Sequence, residues 1–344
     1  MKSFLSLRRK KCPLLPLLIL SLFWVFASAT TKKPSNDEKL KAKYLFIVVA
    51  NGVRYNDAFG NKHHLYTDNI WTKLRPLGTV CTKFYNTRLT YPIPAQASLL
   101  TGMWHVWQDP LSDTIRPAFP TIFEYWNKNK SGNSCYFAAS KKQLEIISHS
   151  DYQGYGKSFA PVFGTDLDSD VDTGTVKDAM DVMGNAMYKK AISYIFKHHP
   201  SLVYLNLDSD ENDKNAPSHA LVCRVDGCEE EEADQINTYY ESIILIDAIV
   251  YDFWTRIQSD ETYKNRSVFI FLSAHGRHTN DFRGFGCNCQ GCRQLNFLII
   301  GPGVKKNYIS KKKRTLIDIC RTVGVIFNIP TPFSKGKVMK EIVE

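Results

Sequence analysis

Beyond residue 29 this 344-residue chain has no apolar run of the roughly 20 residues that a membrane-spanning helix needs. It has no internal repeat, no low-complexity tract and no sign of a second hydrophobic core. The closing Lys340-Glu341-Ile342-Val343-Glu344 carries neither a lipid-anchor tail nor a retention tetrapeptide. Together these gaps set the expectation of one soluble domain without a membrane anchor.

The first 29 residues read as a secretory signal. Arg8, Arg9, Lys10 and Lys11 form a basic start, residues 14–26 a short apolar run, and Ala27-Ser28-Ala29 a small-residue cleavage site. A polar linker is expected over 30–43 and a single domain over 44–344, in an extracellular protein. Lys2, Arg8, Arg9, Lys10 and Lys11 supply five of the net +10, so 10 − 5 leaves about +5 after cleavage. That charge does not call for nucleic acid. Lys305, Lys306 and the run Lys311-Lys312-Lys313-Arg314 read as a solvated basic loop, with sulfated glycans as the alternative partner.

Of nine cysteines, Cys12 leaves with the signal. Cys81, Cys135, Cys223, Cys228, Cys287, Cys289, Cys292 and Cys320 remain, an even count that reads as up to four disulfides in an oxidising compartment. Cys223 and Cys228 enclose a short turn and form a plausible local pair. Cys287-Asn288-Cys289-Gln290-Gly291-Cys292 is a possible thiolate metal site, but structural zinc usually draws a second ligand pair from a distance, so disulfides are preferred. Asn129 and Asn265 head glycosylation sequons and are expected on the surface.

After the linker, apolar patterning alternates between strand and helix. Residues 44–50, 79–85, 135–139, 202–207, 268–273 and 295–300 read as strands. Residues 70–74, 120–127, 175–197, 233–257 and 315–328 read as helices. Such alternation over about 300 residues predicts an α/β fold, a single three-layer α/β/α sandwich around a mostly parallel sheet.

Five ordered motifs carry a family resemblance: Asn51-Gly52-Val53-Arg54, Pro92 to Gly102, Leu205 to Asp210, Ala274-His275-Gly276-Arg277-His278, and Ile317 through Pro330. In this order the chain resembles the alkaline phosphatase superfamily, most closely its type I phosphodiesterase and nucleotide pyrophosphatase branch. The resemblance implies an alkaline phosphatase-like sheet, two zinc ions and a hydroxyl or thiol nucleophile.

Carried over by position, most of that chemistry is missing. Asn51 and Ala274 stand where the family has metal-binding carboxylates, and Pro92 stands at the nucleophile. Lys214 falls near an expected histidine, and a final histidine is deleted before Cys287. Two zinc ions need several carboxylates, so a pseudoenzyme with no catalytic residues and no metal is expected, a secreted binding or matrix protein.

Arg54, Lys214, His275 and His278 would remain as a positive pocket for an anionic ligand or an extracellular partner. Arg54 and Asp57 are read as a structural ion pair. The alternative is an active hydrolase of phosphate or sulfate esters with two zinc ions. It would use Thr90 as nucleophile and Asp208, Asp210, His219 and His275 as ligands. Asp208, Asp210 and Asp213, like Glu229 to Glu232, read otherwise as solvated acidic loops. Asp166, Asp168, Asp170 and Asp172 are read as an exposed loop, with calcium as the alternative.

Overall fold

The computed structural model describes residues 42–109, 112, 114–130, 134–139, 141–164, 186–207, 232–280 and 284–344. The signal, the linker through residue 41, the acidic run from Asp166 to Asp172, and Asp208, Asp210, Lys214, His219, Cys223 and Cys228 fall outside those residues. By internal contacts the chain divides into Met1–Ser35 and Asn36–Glu344, and every described residue belongs to the second unit.

In chain order the first half gives β1 (Tyr44–Val49), β2 (Gly78–Cys81), β3 (Phe84–Tyr85), α1 (Pro92–Thr101), α2 (Ile122–Asn129), β4 (Cys135–Ala139) and β5 (Val162–Gly164). The second half gives α3 (Ala186–His198), β6 (Leu202–Asn206), α4 (Glu232–Ser259), β7 (Ser267–Leu272), α5 (Gln290–Arg293), β8 (Gln294–Leu295), β9 (Phe297–Ile300), β10 (Tyr308–Ser310), β11 (Arg314–Thr315) and α6 (Asp318–Ile326).

Eight strands form one sheet in the order β10-β2-β9-β7-β1-β6-β4-β5. The block from β7 to β5 is parallel throughout, with β1 between β7 and β6. β9 runs antiparallel to both its neighbours, β2 and β7. A small second sheet joins β11, β3 and β8.

β1 shows why the sheet is covered on both faces. Its residues Leu45, Ile47 and Val49 pack with residues of α1, α2 and α6, including Leu99, Phe123 and Val323. The alternate residues Phe46 and Val48 pack with α3 and α4, including Ile195, Ile249 and Phe253. A strand's side chains alternate between faces, so an unbroken apolar run means two apolar environments. The result is the three-layer α/β/α sandwich expected from the sequence.

Local signals account for several boundaries. α2 opens with a capping box, in which Thr121 accepts from the Glu124 amide and Glu124 accepts from the Thr121 amide. The wholly buried Glu124 carboxylate also accepts from Ser150 N (3.0 Å), Ser150 Oγ (2.7 Å) and Gly156 N (2.7 Å). That carboxylate therefore ties the start of α2 to the 150–156 loop. α1 opens with Pro92 and Pro94 and closes on Gly102 at φ 69°, in the left-handed region that glycine enters without strain.

Where the sequence suggests one strand over 79–85 the structure makes two, β2 and β3, split by a turn. Residues 295–300 likewise divide into β8 and β9, which belong to different sheets. The basic loop flanks β10, an edge strand, where exposed Lys306, Lys311, Lys312 and Lys313 discourage pairing with another chain. Arg314 is instead buried and bound to Glu341. No helix among the described residues is long and apolar enough to cross a membrane.

Candidate functional site

The C-terminal ends of β1, β6 and β7 lie side by side, and the chain leaves β1 and β7 in two loops that hold the motif residues. Ala50 N donates to Leu272 O (3.0 Å), Leu207 N to Val49 O (2.9 Å) and Gly52 N to His275 O (2.9 Å). Asn51, Ala274 and His275 are thereby brought together, all at 1% exposure or less.

The position that the resemblance assigns to a first metal carries amide chemistry. Asn51 Oδ1 accepts from the Ala274 amide at 3.3 Å, and Asn86 Nδ2 donates to the Ala274 carbonyl at 3.2 Å. Where the resemblance calls for two carboxylates, a neutral amide is turned onto backbone and a methyl group is buried beside it. This donor set does not fit a dication.

Pro92 takes the first position of α1, where a missing N–H costs nothing but a nucleophilic atom is also missing. Thr90 is fully buried, and its hydroxyl donates to the Cys287 carbonyl at 3.0 Å.

His275 keeps a ligand-like posture. Its Nδ1 lies 2.9 Å from the Gly276 carbonyl, which assigns the ring proton to Nδ1 and leaves Nε2 as a lone-pair acceptor. Nε2 is buried and without a hydrogen-bond partner among the described residues. Burial, with Arg277 adding repulsion, brings the imidazole down to about 4, so the ring is neutral at physiological pH.

Arg54 forms the expected ion pair with Asp57. Asp57 also accepts from the Tyr239 hydroxyl (2.9 Å), and the Arg54 guanidinium donates to the carbonyls of His278 (3.2 Å) and Thr279 (3.1 Å). Its charge is thus balanced within the fold. It borders a cavity of about 220 Å³ shared with Asp57, Thr279 and Gln290.

A set of buried amides beneath these loops is given no role by the motif reading, although Gln96 and Asn206 lie within its motifs. Gln96 Oε1 accepts from Tyr204 Oη (2.7 Å) and Asn206 Nδ2 (2.8 Å). Asn296 accepts from Phe59 N (3.2 Å) and donates to Val53 O (3.1 Å). The signal that could have found them is a lone amide ending or interrupting an apolar run, as in Leu205-Asn206 and Leu295-Asn296-Phe297.

A second cluster lies in the same loop. His278, Cys287, Cys289 and Cys292 place one donor atom each within 4.8 Å of one another. His278 Nδ1 is 2.8 Å from Cys287 Sγ and 3.5 Å from Cys292 Sγ, and the two sulfurs are 3.5 Å apart. Burial raises the Cys289 thiol, but hydrogen bonds from Cys287, Thr279 and His278 outweigh it and bring the group down to about 5. Cys292, where burial dominates, is pushed up to about 12.

All six described cysteines are free thiols, which departs from the expected disulfides. Cys81, Cys135 and Cys320 are buried among apolar side chains of the layer holding α1, α2 and α6. Burial pushes Cys81 and Cys320 up to about 12. The Cys287, Cys289 and Cys292 trio gathers around a histidine instead. His278 therefore belongs with the thiols rather than with His275. Asn129 and Asn265 are both exposed.

No protein-family model and no curated protein matches this chain. Solved structures do. A protein in the alkaline phosphatase superfamily from Vibrio parahaemolyticus aligns with a TM-score of 0.61 at 15% identity, over 88% of this chain and 71% of that one. The phosphonate monoester hydrolase of Silicibacter pomeroyi aligns at 0.59 and 11%, over 87% and 76%. The lipoteichoic acid synthase LtaP of Listeria monocytogenes aligns at 0.59 and 16%, over 87% and 74%. At such identities the likeness speaks for the backbone alone. The chain has the alkaline phosphatase-like α/β fold, shared with this superfamily of hydrolases.

Proposed function

We propose that this protein is a secreted, non-catalytic relative of that hydrolase superfamily, a scaffold that binds an extracellular protein or an anionic ligand. One observation carries the reading: the Asn51 amide bonded to the Ala274 backbone where a metal-binding carboxylate pair would stand. Pro92 at the head of α1 adds the loss of a nucleophile. Without metal and nucleophile the fold keeps its rigid sheet and loops but has no group to activate or to stabilise an attacking oxygen.

The competing reading, an ester hydrolase with rebuilt ligands, has His275 in its favour, since buried Nε2 carries a lone pair without a hydrogen-bond partner among the described residues. Against it, the Thr90 hydroxyl is already committed to a carbonyl.

The test is turnover of p-nitrophenyl phosphate, bis-p-nitrophenyl phosphate and p-nitrophenyl sulfate by full-length protein from a secretory host, with zinc added. Rates equal to the buffer blank are expected. Chelator-sensitive turnover would replace this reading with the hydrolase one. Binding is tested by retention on heparin, and neutralising Lys306, Lys311, Lys312 and Lys313 should abolish any retention that runs through the basic loop.

A further inference from the structure

We propose that His278, Cys287, Cys289 and Cys292 form a closed, four-ligand zinc site, separate from the two-metal pocket of the hydrolase fold. Three thiols and one imidazole are an established donor set for structural zinc, which takes four ligands in a tetrahedron. Zinc–sulfur bonds of about 2.3 Å and zinc–nitrogen bonds of about 2.0 Å require tetrahedral edges of roughly 3.8 Å between sulfurs and 3.5 Å from nitrogen to sulfur. The Cys287–Cys292 separation of 3.5 Å and the His278–Cys292 separation of 3.5 Å already approach those edges. The His278–Cys287 edge of 2.8 Å opens by roughly 0.7 Å as an ion enters.

The backbone presents the donors in fixed positions. Gly276 N donates to Cys292 O (2.9 Å) and His278 N to Gly284 O (2.8 Å), while Gly291 N donates to Thr279 Oγ1 (2.9 Å). Glycine is required at these approaches. A Cβ on Gly276 would lie 2.0 Å from Gly291 O, and one on Gly284 would lie 2.7 Å from the His278 ring. The Cys289 amide donates to Cys287 Sγ at 3.3 Å, the kind of backbone support that steadies a thiolate ligand.

A disulfide explains this arrangement less well. It would join two sulfurs at about 2.05 Å, leave the third thiol over, and give His278 no reason to sit against two sulfurs. With four protein ligands the ion has no open position for water, so its work is mechanical. It pins the β7 exit to the start of β8 and fixes the Cys287 carbonyl that receives the Thr90 hydroxyl.

The experiment uses the full-length chain, reduced, stripped with a chelator, refilled with zinc and dialysed. Elemental analysis should give one zinc per chain. Cobalt in its place should show the strong thiolate charge-transfer and tetrahedral d–d absorption of a Cys3His site. Cys289→Ser should lose the zinc and that spectrum, and His278→Ala should weaken binding at least tenfold. His278→Cys should retain one zinc, which separates ligand loss from misfolding, with far-UV circular dichroism confirming the fold of each variant.

Three results would overturn the site: no zinc uptake by reduced protein, unchanged zinc content in Cys289→Ser, or unchanged affinity in His278→Ala. Zinc beyond one equivalent that survives Cys289→Ser, with turnover, would leave this site standing and refute the non-catalytic reading alone.

Discussion

Replacing Ala274 with aspartate tests whether the position that the resemblance assigns to a metal is closed. Ala274 has 0% exposure, its amide donates to Asn51 and its carbonyl accepts from Asn86. Added side-chain atoms in a filled interior cost about 1–3 kcal/mol in displaced neighbours. An unpaired buried carboxylate adds about 3 kcal/mol, whether it ionises or takes up a proton. The sum, about 4–6 kcal/mol, corresponds to a drop of roughly 8–12 °C in Tm at about 2 °C per kcal/mol for a domain of this size.

Thermal unfolding of Ala274→Asp and its parent, both carrying Cys289→Ser to silence the thiol cluster, gives the comparison. Each is measured with zinc and with chelator. An open seat would behave differently, because the introduced carboxylate and the unpartnered Nε2 of the next residue, His275, would bind zinc. Binding at a hundredfold excess over Kd restores about 2.7 kcal/mol. A Tm within about 2 °C of the parent, no more than the shift of a single kcal/mol, would refute the closed-seat argument. So would a zinc-dependent rise confined to the aspartate variant.

Asn51→Asp combined with Ala274→Asp and Pro92→Thr should still show no zinc-dependent hydrolysis of an activated phosphodiester, because the second metal's histidines are missing from the sequence; chelator-sensitive turnover would show a working second seat. Glu124→Ala should lower stability by about 4 kcal/mol or more in denaturant titration, since three buried amides and the Ser150 hydroxyl lose a charged acceptor, and a loss below about 1 kcal/mol would contradict that role. Burial lowers His105 to about 4, so its contribution is complete above the unfolded value near 6.5 and is lost as pH falls toward 4, by about 3 kcal/mol. His105→Gln should flatten the stability profile across that window, and an unchanged slope would point to another group.

The sequence alone determined the layered α/β architecture. In β1, β4, β6 and β7 nearly every residue is apolar, and only a strand covered on both faces buries such a run. The departures from the resembled motifs at Asn51, Pro92 and Ala274 were equally legible, since they are identities rather than conformations. The reversed direction of β9 was not legible, because a short apolar run has the same pattern in a parallel and an antiparallel pair.

The cysteines divide along the same line. Spacing shows that Cys287, Cys289 and Cys292 share one turn, but gives them no fourth ligand. His278 reaches them only because the β7 exit loop packs its backbone against the cysteine loop through Gly276 and Gly291. A metal site depends on distances of a few ångströms between donors, and tertiary packing decides those distances where one-dimensional spacing does not.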